Sequence, residues 1–286
     1  MKFLSVFFYD GKRDVKVYLD CLSSQVKHCQ NYSVLVNKAA RELLEPLGID
    51  CIDYEEVIPS HPVRNLKTEL DSIISLGKYA AVSDILRIWA CKKFGDCCYL
   101  DGDIYLKCSI DSLQDKILQG QVLVGAENGG YICSGFLMNK SSRVVDLACE
   151  EILSSKKMSS RWQMYCGILF GKLLRDNPDS VYVLNPVVLM GVYYKNFKKF
   201  IENGELIDME KYWSANPRAL GLHVCGASMN VAQNVLKNNH STLYSPKYYL
   251  EEFPTGDILS YDGDNLALPE TLSSTPRFLY KEGMLK

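Results

Sequence analysis

Three short apolar runs alternate with segments of helical spacing over residues 1–54, and that alternation confines the chain to few architectures. Residues 3–9, 32–36 and 49–54 read as strands, each too short for a helix and bounded by polar or turn-forming residues. Between them, residues 15–26 and 39–47 place apolar side chains at helical spacing, the second segment stopping at Gly48. A βαβαβ opening requires a parallel sheet, because parallel neighbours need a crossover and the crossover helices must cover the sheet. The predicted class is α/β.

The pattern continues after a polar, proline-containing stretch at 59–65, with a helical region ending near Lys93. Residues 97–100 form the next strand. Two more follow at 121–126 and 131–138, expected to be antiparallel because only residues 127–130 separate them. Helices at 143–154 and 160–174 and a strand at 181–184 complete the regular part, and beyond about Asn230 a polar tail containing Tyr and Pro begins. Without a repeat or linker, the chain reads as a single domain over 1–286, with 231–286 a C-terminal extension or lid.

Charge narrows the function classes. With 34 acidic against 32 basic side chains the net charge is −2, which excludes a general nucleic-acid binder. No apolar run is long enough to span a bilayer. Met1-Lys2 and the run behind it read as a first strand rather than a secretory leader, since Asp10-Gly11-Lys12-Arg13 ends the run without a small-residue cleavage site. Eleven cysteines without a C-x-x-C pair suit buried thiols in a reducing compartment, the cytosol, whether the producing cell's own or a host's. Residues 193–200 mix aromatic and basic side chains; they read as the end of an amphipathic helix, peripheral contact with a membrane surface being the alternative.

Most of the chemistry lies in Asp101-Gly102-Asp103, directly after the strand at 97–100. Two carboxylates one residue apart offer hard oxygen ligands to a divalent cation, and strand ends are where open α/β sheets bind ligands. Gly102 between them leaves room for a phosphate to approach the backbone. A second copy, Asp262-Gly263-Asp264, follows Pro254-Thr255-Gly256 and reads as a turn. Upstream, the almost wholly apolar helix around residues 79–89 carries Asp84 and Arg87 three apart on one face. That pair is either a self-neutralising ion pair or one that finds further partners in a hydroxyl-rich ligand.

The string Ala80-Ala81-Val82-Ser83-Asp84-Ile85-Leu86-Arg87, ahead of Tyr99-Leu100-Asp101-Gly102-Asp103, resembles the donor-binding core of GT-A glycosyltransferases. The resemblance points to the glucosylating clostridial toxins and to the capsule and yeast mannosyltransferase families with a D-x-D sugar-binding region. Cys133-Ser134-Gly135-Phe136-Leu137-Met138-Asn139 is similar to the N-[ST]-G-hydrophobic-N strand of glycogenin-like enzymes, with Cys133 in place of Asn. His223-Val224-Cys225-Gly226 resembles a late H-x-x-G that supplies a third metal ligand; its alternative is a structural imidazole. Two departures are Gly95-Asp96 in place of the usual Gly-Gly and Ala227-Ser228-Met229 in place of a Trp. Trp213 is a candidate lid residue, a packed ring being the alternative.

The resemblance implies a GT-A fold and a metal-dependent glycosyltransferase. It would move a sugar from a nucleotide-diphosphate donor, most commonly a UDP-sugar, to a glycan, lipid-linked or protein acceptor, with retention. Asp84, Arg87, Asp101 and Asp103 would carry catalysis, and Mn2+ or Mg2+ would sit on Asp101, Asp103 and His223. Ser83, Asp84, Arg87, Gly102, Ser134 and Gly135 would line the donor, with Tyr9 and Tyr54 stacking on its base. Two alternatives stay open. One is a haloacid dehalogenase-type phosphohydrolase, which also uses a D-x-D; the other is a non-catalytic module of the same fold.

Overall fold

The computed structural model describes residues 1–12, 15–127, 131–160, 164–189, 213–214, 217–224 and 258–259. The second D-x-D, the 231–286 extension apart from residues 258–259, the segment 193–200, and Cys225 to Met229 lie outside the described residues.

The opening unit is β1 (Lys2–Phe7), α1 (Lys16–His28), β2 (Tyr32–Val36), α2 (Lys38–Leu44) and β3 (Cys51–Asp53). β1 pairs with β2, and β2 with β3, both parallel. Asn37 starts α2 by accepting the Ala40 N–H, a cap that contributes about 1 kcal/mol. The third strand is shorter than the predicted 49–54. Asp53 caps a 3₁₀ turn over Tyr54–Val57, and that capping box ends the extended backbone.

Helices α3 (Leu66–Ser75) and α4 (Tyr79–Phe94) lead to β4 (Cys97–Leu100) and β5 (Ile104–Leu106). Then come β6 (Val122–Glu127), β7 (Tyr131–Asn139), α5 (Arg143–Ser154), α6 (Leu169–Asp176), β8 (Val181–Leu184), α7 (Pro186–Leu189), β9 (Gly221–His223) and β10 (Ile258–Leu259). The predicted helix over 160–174 is replaced by a π-helical turn, Met164–Ile168, running into α6, with Cys166 out of helical conformation at φ −108°, ψ −106°. The Cys166 sulfur accepts the backbone N–H of Ser134, 3.1 Å away, so the kink serves a strand rather than a continuous helix.

The main sheet has eight strands in the order β10-β8-β6-β7-β4-β1-β2-β3. Antiparallel β7 lies between β4 and β6, so the sheet is mixed, and the α/β class with flanking helices is what the structure shows. Alternate residues of each strand feed opposite cores, as the two-residue period requires. Leu4, Val6, Tyr99 and Leu137 pack with α3, α4 and α5; Phe3, Phe7, Leu100 and Phe136 pack with α1 and α2. Helix α4 is buried nearly all round, with Ile85, Leu86, Ile88 and Trp89 at most 1% exposed. Each such side chain contributes roughly 1.5–3 kcal/mol of burial, which lets this helix tolerate an internal ion pair. A separate two-stranded ribbon joins β5 to β9.

Candidate metal and donor site

Asp101 follows β4 at its C-terminal end, and its backbone N–H donates to the Gly135 carbonyl of β7 at 2.7 Å. The chain then turns, with Ile104 N–H donating to the Asp101 carbonyl at 3.0 Å, and Asp103 is carried to the start of β5. In the β5–β9 ribbon Ile104 lies opposite His223, and Val224 N–H donates to the Asp103 carbonyl at 2.9 Å. A Cβ on Gly221 would sit 2.6 Å from the Tyr105 carbonyl oxygen, so this close approach needs glycine.

The ribbon thereby brings His223 to the D-x-D turn. His223 Nε2 lies 3.1 Å from Asp103 Oδ1 and 3.9 Å from Asp101 Oδ2. One ligand atom from each of the three residues falls within 4.8 Å of the others. Two ligands on an octahedral ion with bonds of about 2.1 Å are about 3 Å apart at right angles and about 4.2 Å apart when opposite, a range that holds the 3.1 and 3.9 Å separations of His223 from the two carboxylates. Mixed carboxylate and imidazole donors favour Mn2+ over Mg2+, which prefers oxygen. The donor set fits the group.

Arg87 ties this centre to the buried helix. Its Nη2 lies 3.0 Å from Asp84 Oδ1 and 3.1 Å from Asp101 Oδ1. Nη1 donates to Ser134 Oγ at 3.0 Å, and Nε donates to the Ser83 carbonyl at 3.1 Å. The guanidinium also lies over the Tyr99 ring, 4.6 Å from its centroid. Burial pushes the Tyr99 phenol well above its usual range; Arg87 opposes that shift and Asp101 adds to it. The phenol therefore stays protonated and donates to Asp101 Oδ1 at 2.7 Å. Asp84 and Arg87 are 2% and 3% exposed, so the contacts observed for Arg87 are with Asp84, Asp101, Ser134 and the Ser83 backbone rather than with open solvent.

β7 forms the other wall. The pairing of β6 with β7 shifts register between Val124, opposite Leu137, and Gly125, opposite Cys133. Residues 134–136 are thus bulged out of that ladder, the usual way a strand re-aims side chains beside a site. A Cβ on Gly135 would lie 2.5 Å from Asp101 Oδ2, so Gly135 makes the space in which that carboxylate sits. The missing Cβ of Gly102 faces inward, at ordinary contact distance from the Val6 carbonyl (3.4 Å) and the Leu22 and Tyr18 side chains.

Of the residues expected to line a donor, Ser83, Asp84, Arg87, Gly102, Ser134 and Gly135 are gathered here with Asp101, Asp103 and His223. Tyr54 is not. Its ring packs edge-on against Phe8 at 5.2 Å, and its hydroxyl donates to Asp71 Oδ1 at 2.6 Å. Tyr9 is half-buried just beyond β1, its backbone bonded in both directions to the Asn37 side chain. Trp213 carries the Lys107 ammonium 5.4 Å above its ring. Sequence reasoning missed Tyr99 and Cys166 as supports of the site, and it missed Gln25. The one local signal for the last was Ser5, a hydroxyl in the middle of an otherwise apolar strand.

No family model and no curated protein matches the chain. Solved structures do. The structure of the PaToxG glycosyltransferase is matched at 15% identity and a TM-score of 0.45, over 62% of this chain and 69% of that one. Mouse xyloside xylosyltransferase 1 in its apo form is matched at 13% identity and a TM-score of 0.44, over 65% and 85%. A glycosyltransferase involved in glycosylation of the major capsid of PBCV-1 is matched at 13% identity and a TM-score of 0.42, over 82% and 99%.

Proposed function

We propose that the chain is a metal-dependent glycosyltransferase that takes a sugar from a nucleotide-diphosphate donor, a UDP-sugar in the first instance. The observation that carries this reading is the meeting of Asp101, Asp103 and His223 within 4.8 Å, at the C-terminal end of β4. Asp103 and His223 would hold Mn2+ with Asp101 alongside. The cation, when bound, neutralises the charge that grows on the departing nucleotide diphosphate.

The chain's own residues would do the rest. Arg87 and Tyr99 fix Asp101 so that one of its oxygens faces His223. Gly135 leaves the space that the Asp101 carboxylate occupies, and the donor would lie beside it. Asp84 and Arg87 would orient sugar hydroxyls and set the anomeric carbon toward the acceptor. Transfer is proposed to be retaining, following the resemblance of the donor-binding motif, and the acceptor a glycan, lipid-linked sugar or protein side chain. Ten described cysteines are free thiols, which accords with work in a reducing compartment. No helix among the described residues is long and apolar enough to cross a membrane.

The phosphohydrolase alternative would use Asp101 as its nucleophile through Oδ2, since Arg87 and Tyr99 hold Oδ1; hydrolysis of p-nitrophenyl phosphate through an aspartyl-phosphate would favour it. A thermal-shift screen of nucleotide sugars with and without Mn2+ tests the proposal. One donor should stabilise the protein in the presence of metal, by about 2.7 kcal/mol at a hundredfold excess over its Kd. Equal stability across all donors would overturn it. Binding of a donor with neither hydrolysis nor transfer would move the reading to a non-catalytic module.

A further inference from the structure

The D-x-D turn is gripped from behind by a buried polar network that the chemistry above does not use. Gln25 on α1, 0% exposed, donates from Nε2 to the Asp101 carbonyl at 2.9 Å and to the Ile104 carbonyl at 2.7 Å. These carbonyls flank Gly102-Asp103, so one amide spans the turn that presents the second carboxylate. The Gln25 Oε1 lies 2.7 Å from the Ser5 hydroxyl and 2.7 Å from the Tyr32 hydroxyl. Ser5 Oγ is in turn 2.7 Å from the Leu100 carbonyl, at the end of β4. The amide orientation is forced, because the reverse would set an oxygen against two carbonyl oxygens with no proton between them. The preceding residue, Ser24, accepts the Leu106 N–H at 2.9 Å. Consecutive residues of α1 therefore hold the turn and β5 at three backbone points.

Buried networks of this kind are costly unless complete, and complete ones specify a single local structure. Without the Gln25 donors, two carbonyls beside Asp103 would lose buried partners, and the turn would gain freedom to rotate Asp103 away from His223. We propose that Gln25 is a positioning residue for the metal centre: its amide bridges the Asp101 and Ile104 carbonyls and so fixes Asp103 toward His223. This rests on the metal-dependent reading above and adds to it a residue remote from the cation.

Mn2+ titration of the full chain, read from the electron paramagnetic resonance amplitude of free aqueous Mn2+, tests it with the metal alone. Removal of such outer contacts typically weakens metal binding by about 10–100-fold, and Gln25→Met should fall in that range while unfolding cooperatively. Gln25→Glu keeps the length and the acceptor side but leaves at most one donated proton where the amide gives two, and it should weaken binding even if Met packs poorly. Val17→Ala, a cavity on the same helix at a residue 2% exposed, should lower stability yet leave Mn2+ affinity within about twofold. If the wild type binds Mn2+ and both Gln25 variants bind as well, the positioning role falls and the metal site stands. If Val17→Ala weakens binding equally, the effect is general loss of stability and the positioning role falls. A wild type that binds no Mn2+ overturns both.

Discussion

The Nε2 of His223 lies 3.1 Å from Oδ1 of Asp103, although 120 positions separate the two in the chain. A three-residue ribbon creates the contact. β9 pairs with β5 so that His223 stands opposite Ile104, immediately after Asp103. Neither strand is long enough to persist alone, so the juxtaposition exists only while each holds the other.

Asp103→Asn should leave the fold intact and remove Mn2+ binding and Mn2+-dependent transfer. A ligand contributes more than its outer contacts, so the expected loss of affinity exceeds about 100-fold. Mn2+ titration beside a donor-hydrolysis assay checks this. Full activity in the variant would mean that Asp103 does not hold the cation.

Arg87 bridges Asp84 and Asp101, so Arg87→Ala removes an ionic partner from a buried and a partly buried carboxylate at once. Loss of one partner from a buried pair costs about 3–5 kcal/mol, measurable as a lower urea midpoint at constant m. Arg87→Lys should recover part of that stability. It should not recover transfer, since an ammonium on a flexible stem does not reproduce the planar fork that reaches Asp84, Asp101 and Ser134 together.

Gly135→Ala places a methyl group 2.5 Å from Asp101 Oδ2. The carboxylate must move, and the shift disturbs the geometry in which its Oδ1 meets Arg87 and Tyr99. We expect weaker Mn2+ binding together with a destabilisation of about 1–3 kcal/mol. Unchanged metal affinity would show that Asp101 adapts without cost.

A pH-dependent contribution to stability lies away from the site. Glu69 is held below its ordinary value of 4.5 chiefly by the Arg64 guanidinium, which it meets at 2.7 Å; partial burial opposes the shift, and the Met158 N–H adds to it. A carboxyl depressed in the folded state stabilises fully above its unfolded value, and the contribution is lost as pH falls through the folded value. Glu69→Gln should therefore cost about 2 kcal/mol near pH 7, as expected for a charge-assisted pair. The gap to wild type should begin to narrow below about pH 4.5 and close as the pH falls through the lower, folded value. Urea midpoints at pH 7 and pH 3.5 test the sign, and a gap that widened in acid would refute it.

Much of the scaffold was legible because it depends on local periodicity. The strands at 97–100 and 181–184 and the helix at 143–154 fall where their patterns end, and the first three strands pair in parallel. Where the structure departs from the expected elements, the causes are local too. Tyr54 reads as a strand end facing a ligand, but Asp53 caps a 3₁₀ turn that swings the ring into the core beside Phe8. Residues 160–174 read as one helix, but Cys166 leaves helical geometry and its sulfur meets the Ser134 N–H. β5 was not read at all, since three residues carry too little pattern.

The sequence by itself determined the α/β class, the alternation that divides the sheet residues between two cores, and the chemical types at the candidate site. Each follows from side-chain spacing along a strand or helix, which is a property of neighbours. Only the tertiary structure decided that Asp103 faces His223, that Arg87 locks Asp101, and that Gln25 on the first helix clamps the turn between them. Those relations depend on long-range strand pairing and on buried groups finding partners, and neither leaves a mark in local periodicity.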